Sequence, residues 1–478
     1  MSRRGATAWV ELGAIILIVI GAAILAIQLN SYSGFRERFP AGLTVAGVGI
    51  GGSTQEEGSR QIAAVYSSGV DLYYQGEHIP LDPADVEFTI ELDALLQQAI
   101  EQRNAQSFWV GFWDFLWDRP VEVTPVELQA SFSQRRLQAI LATIAAARDT
   151  PPQPPVPVPA TLGFQPGERG YQLDIEASQP LIGTALLSPT DRHATLVVNQ
   201  SPPLAPELDI LGRLIETRLS DFDGIYSVFV IDLESGETLG INHDVAFSGM
   251  SIVKIPIMVE TFRTLDGPPT IEEMKLITET LGQESGNYTA NILLDVIAGE
   301  DNGMLGAEMV TQSMWHLGLG NTFIAVPYEE DLVRTYATEA NQRTDITTQP
   351  DSKIQTTAED MGLLLEMIYQ CAAGGGAFIA AFQGEITTEE CQLMLETMNQ
   401  NRIGSLIEAG VPEGTSVAHK HGWTAEAHGD AGIVFGPAGD YVLVEFLYSP
   451  GWLEWAISSP LLADVSRATY NYFNPVSE

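Results

Sequence analysis

A chain of 478 residues with 45% apolar side chains has room for about two to four domains and enough apolar surface for real cores, which excludes a disordered protein. Its 62 Asp plus Glu against 23 Lys plus Arg, a formal net charge of −39, would repel phosphate backbones, so nucleic-acid binding is the first class to drop. Two cysteines, Cys371 and Cys391, are too few for a disulfide framework, although in an exported chain they can pair.

The N-terminus, MSRRGATAWVELGAIILIVIGAAILAIQLN, sets Arg3 and Arg4 ahead of an apolar run from Leu12 to Ile27, extended by Leu29. The run is long enough to span a bilayer, and Gln28-Leu29-Asn30 offers no A-x-A cleavage pattern. Residues 1–30 therefore read as a cytoplasmic tip and an uncleaved anchor crossing the membrane with residues 8–29, in preference to a cleaved signal peptide. Either way the arginines stay inside, and the chain from about residue 31 onward is expected outside the cell membrane.

Residues 31–203 form the next region. FPAGLTVAGVGIGGSTQEE predicts a short alternating strand through Leu43, Val45 and Val48, stopped by Gly51-Gly52 ahead of a helix capped by Thr54. The same order returns in GERGYQLDIEASQPLIGTALL followed by the strand ATLVVN. Between them, TPPQPPVPVPA reads as a polyproline spacer near 150–160. SFWVGFWDFLWD, with Phe108, Trp109, Phe112, Trp113, Phe115 and Trp117, reads as local core or interdomain packing, in preference to a surface for a membrane interface or a sugar chain. In FPAGLTVAGVGIGG and GYQLDIEAS, residues 40–203 resemble the VanW-associated peptidoglycan-binding module. That resemblance implies a small α+β module facing the cell wall and carries over no binding residue.

Residues 204–478 have a different texture. PELDILGRLIETRL predicts an amphipathic helix, and IYSVFVIDLESGETLGIN two strands around a turn at Glu234-Ser235-Gly236. In the long helical stretch that follows, Thr356 and Glu359 form a capping box for a helix whose apolar face is Met361, Leu364, Leu365 and Ile368. Cys371 ends that helix and Cys391 opens the next helical stretch after a glycine-rich loop, so in an oxidising compartment a disulfide between them is expected. Strands return at the end: SVAHKHGW, then GIVFGPAGDYVLVEFLY, a hairpin turned between Gly436 and Asp440. Ser459-Pro460 then starts a closing helix as cap and first residue. Strands from both ends with helices between predict an α/β chain of the α+β kind, one antiparallel sheet assembled from distant pieces and flanked by helices.

FSGMSIVKIPIM puts Ser251 and Lys254 one turn apart at the start of a helix. Such a pair is by itself more often a solvated helix edge than a site, so the rest of the chain has to decide. A nucleophilic serine needs a proton acceptor, a second hydroxyl to relay the proton, and donors for an oxyanion. Lys254 faces the same side as Ser251 and, if neighbouring positive charge and burial depress its pKa, can serve as a neutral base. ESGNYTANILL supplies Ser285 and Asn287, and HKHGW supplies Lys420 followed by Gly422.

Order and context agree with the S-x-x-K, S-D-N and K-T-G triplet. With GDAGIVFGPAGDYVLVEF, these motifs make residues from about 205 to 475 resemble a class A β-lactamase-type serine hydrolase of the β-lactamase/penicillin-binding-protein superfamily. The resemblance implies that Ser251 is the acylated nucleophile, Lys254 its activating neighbour and Ser285 the proton shuttle to the leaving nitrogen. It implies that Asn287 holds the substrate's side-chain amide, Lys420 supplies positive potential and Gly422 lets the strand approach the substrate. The N–H groups of Ser251 and Trp423 would form the oxyanion hole, and no cofactor is expected.

Three positions depart from the family. His421 stands where Thr or Ser is usual, and Gly286 where Asp is usual. No arginine follows the Lys420 strand except Arg467, which falls in the closing helix, so anchoring of a substrate carboxylate is assigned to Lys420, His421 and Thr424. For the deacylating carboxylate of the E-x-x-L-N pattern, YEEDLV matches Glu329 and Leu332 but has Val333 in place of Asn, with Glu330 and Glu339 as rivals. His419, His421 and His428 can also be plain polar strand residues, and no metal-ligand spacing points to a metal.

Two classes stay open. One is an acyl-serine enzyme that opens β-lactam rings or, as a D,D-peptidase, cleaves wall peptides; the other is a wall-binding protein with a degenerate hydrolase domain. The joint presence of Ser251, Lys254, Ser285, Asn287 and Lys420 favours the enzyme. The expected partners are a β-lactam or peptidoglycan peptide, the cell wall through the N-terminal module, and the membrane.

Overall fold

The computed structural model describes residues 3–331 and 334–475, with side chains from residue 9 onward. The chain divides into two compact units, Met1–Gln153 with Arg169–Pro202, and Pro154–Glu168 with Pro203–Glu478.

In the first unit, α1 (Arg3–Arg36) is a single helix, and its Trp9–Arg36 stretch is long and apolar enough to cross a membrane. Leu43, Val45 and Val48 do not lie on one strand as expected. Thr44–Val45 pairs antiparallel with Val48–Gly49 because Ala46 and Gly47 take positive φ, 51° and 74°, and close a two-residue turn. The helix Gln55–Ser67 begins at Thr54, whose hydroxyl accepts the Glu57 N–H while Glu57 accepts the Thr54 N–H. Val70–Tyr74 and Glu77–Leu81 form a hairpin, and His193–Thr195 joins Val70–Tyr74 in parallel. The helices Gln134–Arg148 and Ile175–Leu187 contribute buried Leu137, Leu141, Ile182 and Leu186 to the same core.

The aromatic run forms α2 (Phe108–Leu116), of which only one side is packed. Phe112 is 2% exposed, whereas Trp109, Trp113 and Trp117 are 61%, 57% and 69% exposed. Local packing thus holds for buried Phe112 and half-buried Phe108 and Phe115, which close on Tyr32 of α1, and fails for the tryptophans. The helical period is the reason: 109, 113 and 117 share one face, and 108, 112 and 115 the other.

The expected spacer near 150–160 is in part a strand. Val156–Val158 pairs with Gly163–Gln165, since the intervening prolines leave the N–H groups of Val156 and Val158 available. This hairpin belongs to the second unit, where Asn471 Nδ2 donates to Leu162 O at 2.8 Å.

The second unit is built on β1 (Ile225–Asp232), β2 (Thr238–Ile241), β3 (Ser416–Trp423), β4 (Ala427–Gly436) and β5 (Gly439–Tyr448). They form one antiparallel sheet in the order β2-β1-β5-β4-β3. Alternation along β1 feeds two cores. Val228 and Val230 meet Leu211, Leu214 and Ile215 of the helix Leu208–Leu219, while Phe229 and Ile231 meet the helical body on the other face. That body contains α3 (Lys254–Thr264), whose residues Lys254–Phe262 are all buried, and α4 (Asn287–Ala298). The closing helix is α5 (Trp455–Phe473). This is a mixed α/β fold with an antiparallel sheet flanked by helices.

Two helix starts differ from the sequence expectation. Thr357, not Thr356, caps the helix Ala358–Ala372, accepting from the Asp360 N–H. Pairing of Thr356 with Phe247 holds it extended in a strand, so the cap moves on by one residue. Pro460 lies inside α5, which starts at Trp455 after Glu454. Trp455 packs edge-on against Trp423 and tilted against His428, which begins the helix early, and Pro460, in its second turn, removes one backbone bond, that to Ala456 O.

Cys371 and Cys391 are joined in a disulfide, with Cα atoms 5.8 Å apart and both residues 0% exposed. Closing a loop of this size stabilises by about 3 kcal/mol in the chain-entropy model. Thiol labelling under denaturing, non-reducing conditions should modify neither cysteine, and reductant should lower the denaturant midpoint. Two labelled cysteines would refute the bridge.

Candidate active site

Ser251 owes its position to a strained turn. After the short strand Phe247–Ser248, Met250 takes φ 51° and the N–H groups of Ile252 and Lys254 bond back to Gly249 O and Ser251 O. This places Ser251 at the mouth of α3 with Lys254 as the first helical residue. Ser285 and Glu329 also have positive φ, 49° and 68°, so three non-glycine residues near this point are held in the left-handed region.

Lys254 Nζ is the hub. It lies 3.0 Å from Ser251 Oγ, 3.0 Å from Ser285 Oγ, 2.6 Å from Ser285 O and 2.9 Å from Asn287 Oδ1. A charged amine can donate only three bonds to these four oxygens, whereas a neutral one can donate two and accept the Ser251 proton. The side chain is 0% exposed, and burial pushes its pKa down to about 7. Its Nζ is 4.9 Å from the centroid of the Tyr328 ring, and Tyr328 Oη donates to Met250 O at 2.8 Å, bracing the turn.

Asn287, the first residue of α4, links the hub to a carboxylate: its Nδ2 donates to Glu329 Oε1 at 3.3 Å. One turn on, Asn291 bonds both backbone groups of Tyr328, at 2.9 and 3.0 Å, and so ties the loop carrying Glu329 to α4. Of the three candidate carboxylates, Glu329 is the one bonded to Asn287 among the described residues; Leu332 and Val333 lie outside them. At Gly286 a Cβ would meet Thr289 Oγ1 at 2.7 Å, so a hydroxyl fills the space beside that departure.

The sheet edge closes on the turn. A Cβ on Gly422 would come within 2.8 Å of both Ser251 N and Met250 Cβ. Thr424 N–H bonds to Ala427 O, and alternation along an antiparallel ladder then turns the backbone groups of Trp423 and His421 to the free edge of β3. Lys420 is 0% exposed and donates to His421 O at 3.0 Å. Burial, and then the charge of Lys254, push its pKa down to about 7.

The other expected carboxylate anchors lie differently. His421 is buried, with Nδ1 3.2 Å from Asn401 Nδ2 and its ring stacked on Trp423; burial, then Lys420, push its pKa down to about 3, so it is neutral. Thr424 Oγ1 accepts the N–H groups of Glu426 and Ala427, which commits it to the β3–β4 turn. Lys420 is left as the cation of this group. His419 gives one ring nitrogen to Asp430 and the other to Asn401 O; burial opposes its charge, but Asp430, Asn401 O and Glu408 together outweigh it and raise the pKa. Among the described residues no cluster of three His, Cys, Asp or Glu side chains could hold a metal.

Sequence reasoning missed Tyr328, Asn291 and Asn401. The first two had a signal, Tyr328 beside Glu329 and the i, i+4 pair in NYTAN; Asn401 had none.

The profile described as the Beta-lactamase enzyme family (Beta-lactamase2) matches residues 211–268 and 267–473, more than half of the chain. The chain belongs to this family. Among solved structures it is similar to PBP-A, at 21% identity over 57% of this chain and 99% of that one, with a TM-score of 0.43. An acyl-enzyme complex of a PBP-A mutant with penicillin G gives 21% identity, 57% and 100% coverage and a TM-score of 0.44. The β-lactamase from Sphaerobacter thermophilus DSM 20745 gives 18% identity, 57% and 100% coverage and a TM-score of 0.43. No curated protein matches the chain.

Proposed function

We propose that this chain is a membrane-anchored, extracytoplasmic acyl-serine hydrolase that opens β-lactam rings or related wall-peptide amides by attack of Ser251. The observation that carries the reading is the buried Lys254 amine, 3.0 Å from the hydroxyls of both Ser251 and Ser285 and lowered to a pKa of about 7. Neutral Lys254 takes the Ser251 proton, Oγ attacks the carbonyl carbon, and the oxyanion is met by the N–H groups of Ser251 and Trp423. The proton passes from Lys254 through Ser285 to the leaving nitrogen as the C–N bond breaks, leaving an ester on Ser251. Lys420 attracts the substrate's carboxylate, and Glu329, linked to Lys254 through Asn287, activates the water that hydrolyses the ester. The apolar α1 supports the anchor, and the resemblance of residues 40–203 supports a wall-directed first unit.

Labelled penicillin should add to the tryptic peptide containing Ser251, read by mass spectrometry, and an adduct retained in Ser251→Ala would sink the assignment. Glu329→Gln should acylate at the native rate but release the adduct on the order of 10²-fold or more slowly. Unchanged release would take the deacylating role away from Glu329. If the native adduct itself persists, the chain binds penicillin without turning it over, which removes the β-lactamase reading and favours the D,D-peptidase one.

A further inference from the structure

We propose that α2 lies in the lipid headgroup layer of the membrane that α1 spans, with its tryptophans at the acyl boundary and the neighbouring arginines on lipid phosphates. The proposal rests on the anchor reading. Tyr32, 5% exposed, packs on Phe108, Phe112 and Phe115 with ring centroids 5.2, 5.5 and 5.4 Å away, and Phe35 adds a contact to Phe115 at 5.1 Å. The last turns of α1 therefore fix α2 in place. Tyr32 and Arg36 follow the end of the apolar run at Leu29 by three and seven residues, which at 1.5 Å per residue is about 5–10 Å beyond it. A headgroup layer is roughly 5–7 Å thick on each side of the hydrocarbon, so Tyr32, on which α2 packs, lies within it and Arg36 lies at its outer edge.

The outer face of α2 presents Trp109, Val110, Trp113 and Trp117, each more than half exposed. Water gains nothing from such a face, whereas tryptophan is the side chain that the boundary between acyl chains and headgroups favours. Beside it lies a cleft of roughly 430 Å³ lined by Arg36, Arg38, Arg103 and Arg119. In a chain of net charge −39 with 23 basic residues, four guanidinium groups around one cleft are a local exception, and the place of the exception is the membrane exit. Acidic groups take part of this charge: Asp114 is 3.6 Å from Arg119, Glu57 is 3.5 Å from Arg38, and Asp118 also lines the cleft. Arg36 and Arg103 bond to the carbonyls of Gln106 and Glu37, and Arg103 Nε is buried without a hydrogen-bond partner among the described residues. Those two keep positive charge and donors for a phosphate.

The test uses the full chain in vesicles of phosphatidylcholine and phosphatidylglycerol. Because both native cysteines are bonded, Trp113→Cys gives one free thiol for a nitroxide, and Asp85→Cys at an exposed position serves as reference. The label at position 113 should collide more with lipid-soluble oxygen than with a water-soluble nickel complex, and the reference should show the opposite order. Arg36→Gln combined with Arg103→Gln should shift the label at 113 toward water; no shift overturns the phosphate contact. A label at 113 as wet as the reference, with the chain resisting carbonate extraction, overturns the docking alone. The same result with the chain extracted overturns the anchor reading as well. A label shielded from both probes in cross-linkable dimers means that a second copy covers the face, and overturns the proposal.

Discussion

Replacing Lys254 with methionine should slow acylation of Ser251 by labelled penicillin on the order of 10²–10⁴-fold, the usual worth of a positioned general base. The side chain is fully buried, so methionine keeps most of the apolar packing of the stem while removing the one group that touches both hydroxyls. The pH dependence separates this from mere disturbance of the fold. Lys254 must be neutral to accept the proton, so the native acylation rate should rise as pH climbs through about 7. Lys420 must be charged to attract a carboxylate, and in the free protein it loses its charge as pH rises through about 7. The working state is thus the pair carrying one proton, and a narrow bell is expected whose two apparent pKa values belong to the pair. In Lys254→Met the rising limb should vanish, because its base is gone, and the falling limb should move to higher pH once the neighbouring charge no longer depresses Lys420. Second-order acylation rates across pH check this. A rising limb kept in the variant would assign the base elsewhere.

Gly422→Val is expected to cost about 10²–10³-fold in acylation, comparable to losing one oxyanion donor. The Cβ alone would come within 2.8 Å of the Ser251 nitrogen and of Met250 Cβ, so either β3 or the turn must retreat. Retreat spreads the two N–H groups that are proposed to hold the oxyanion. The sheet should survive, since Gly422 lies one residue from the end of β3, with the ladder to β4 continuing back to Ser416. Circular dichroism should therefore remain native while the acylation rate falls. A rate within about threefold of native would mean that the oxyanion is held by other donors, given the size of effect expected from one such group.

Local patterns made much of the second unit legible. The apolar runs of β1, β4 and β5, the turn residues between Gly436 and Asp440, and the one-turn spacing of Ser251 and Lys254 each depend on neighbours a few residues apart. Period and turn chemistry are properties of the chain itself, so they can be read without knowing what the element packs against. The resemblance to the serine hydrolases, which rested on three such motifs in order, anticipated the family for the same reason.

What the chain could not reveal was which side of an element is covered and by what. Ser285 and Asn287 reach Lys254 across 31 and 33 positions and Glu329 reaches Asn287 across 42, and only folding brings these bonds within 3.3 Å. His421 was read as facing a substrate, yet Asn401 and Trp423 enclose it; Thr424 was read the same way, yet its oxygen closes a turn. The tryptophans of α2 looked like core until Tyr32 claimed the opposite face, and the caps at Thr357 and Glu454 moved because a strand partner for Thr356 and the edge-on packing of Trp455 overrode local preference. By itself the sequence determined element types, their order and the chemical inventory, since these follow from short-range periodicity and composition. Burial, hydrogen-bond partners and the lowered pKa of Lys254 were decided only by the tertiary structure, because desolvation and bond geometry depend on residues distant in the chain.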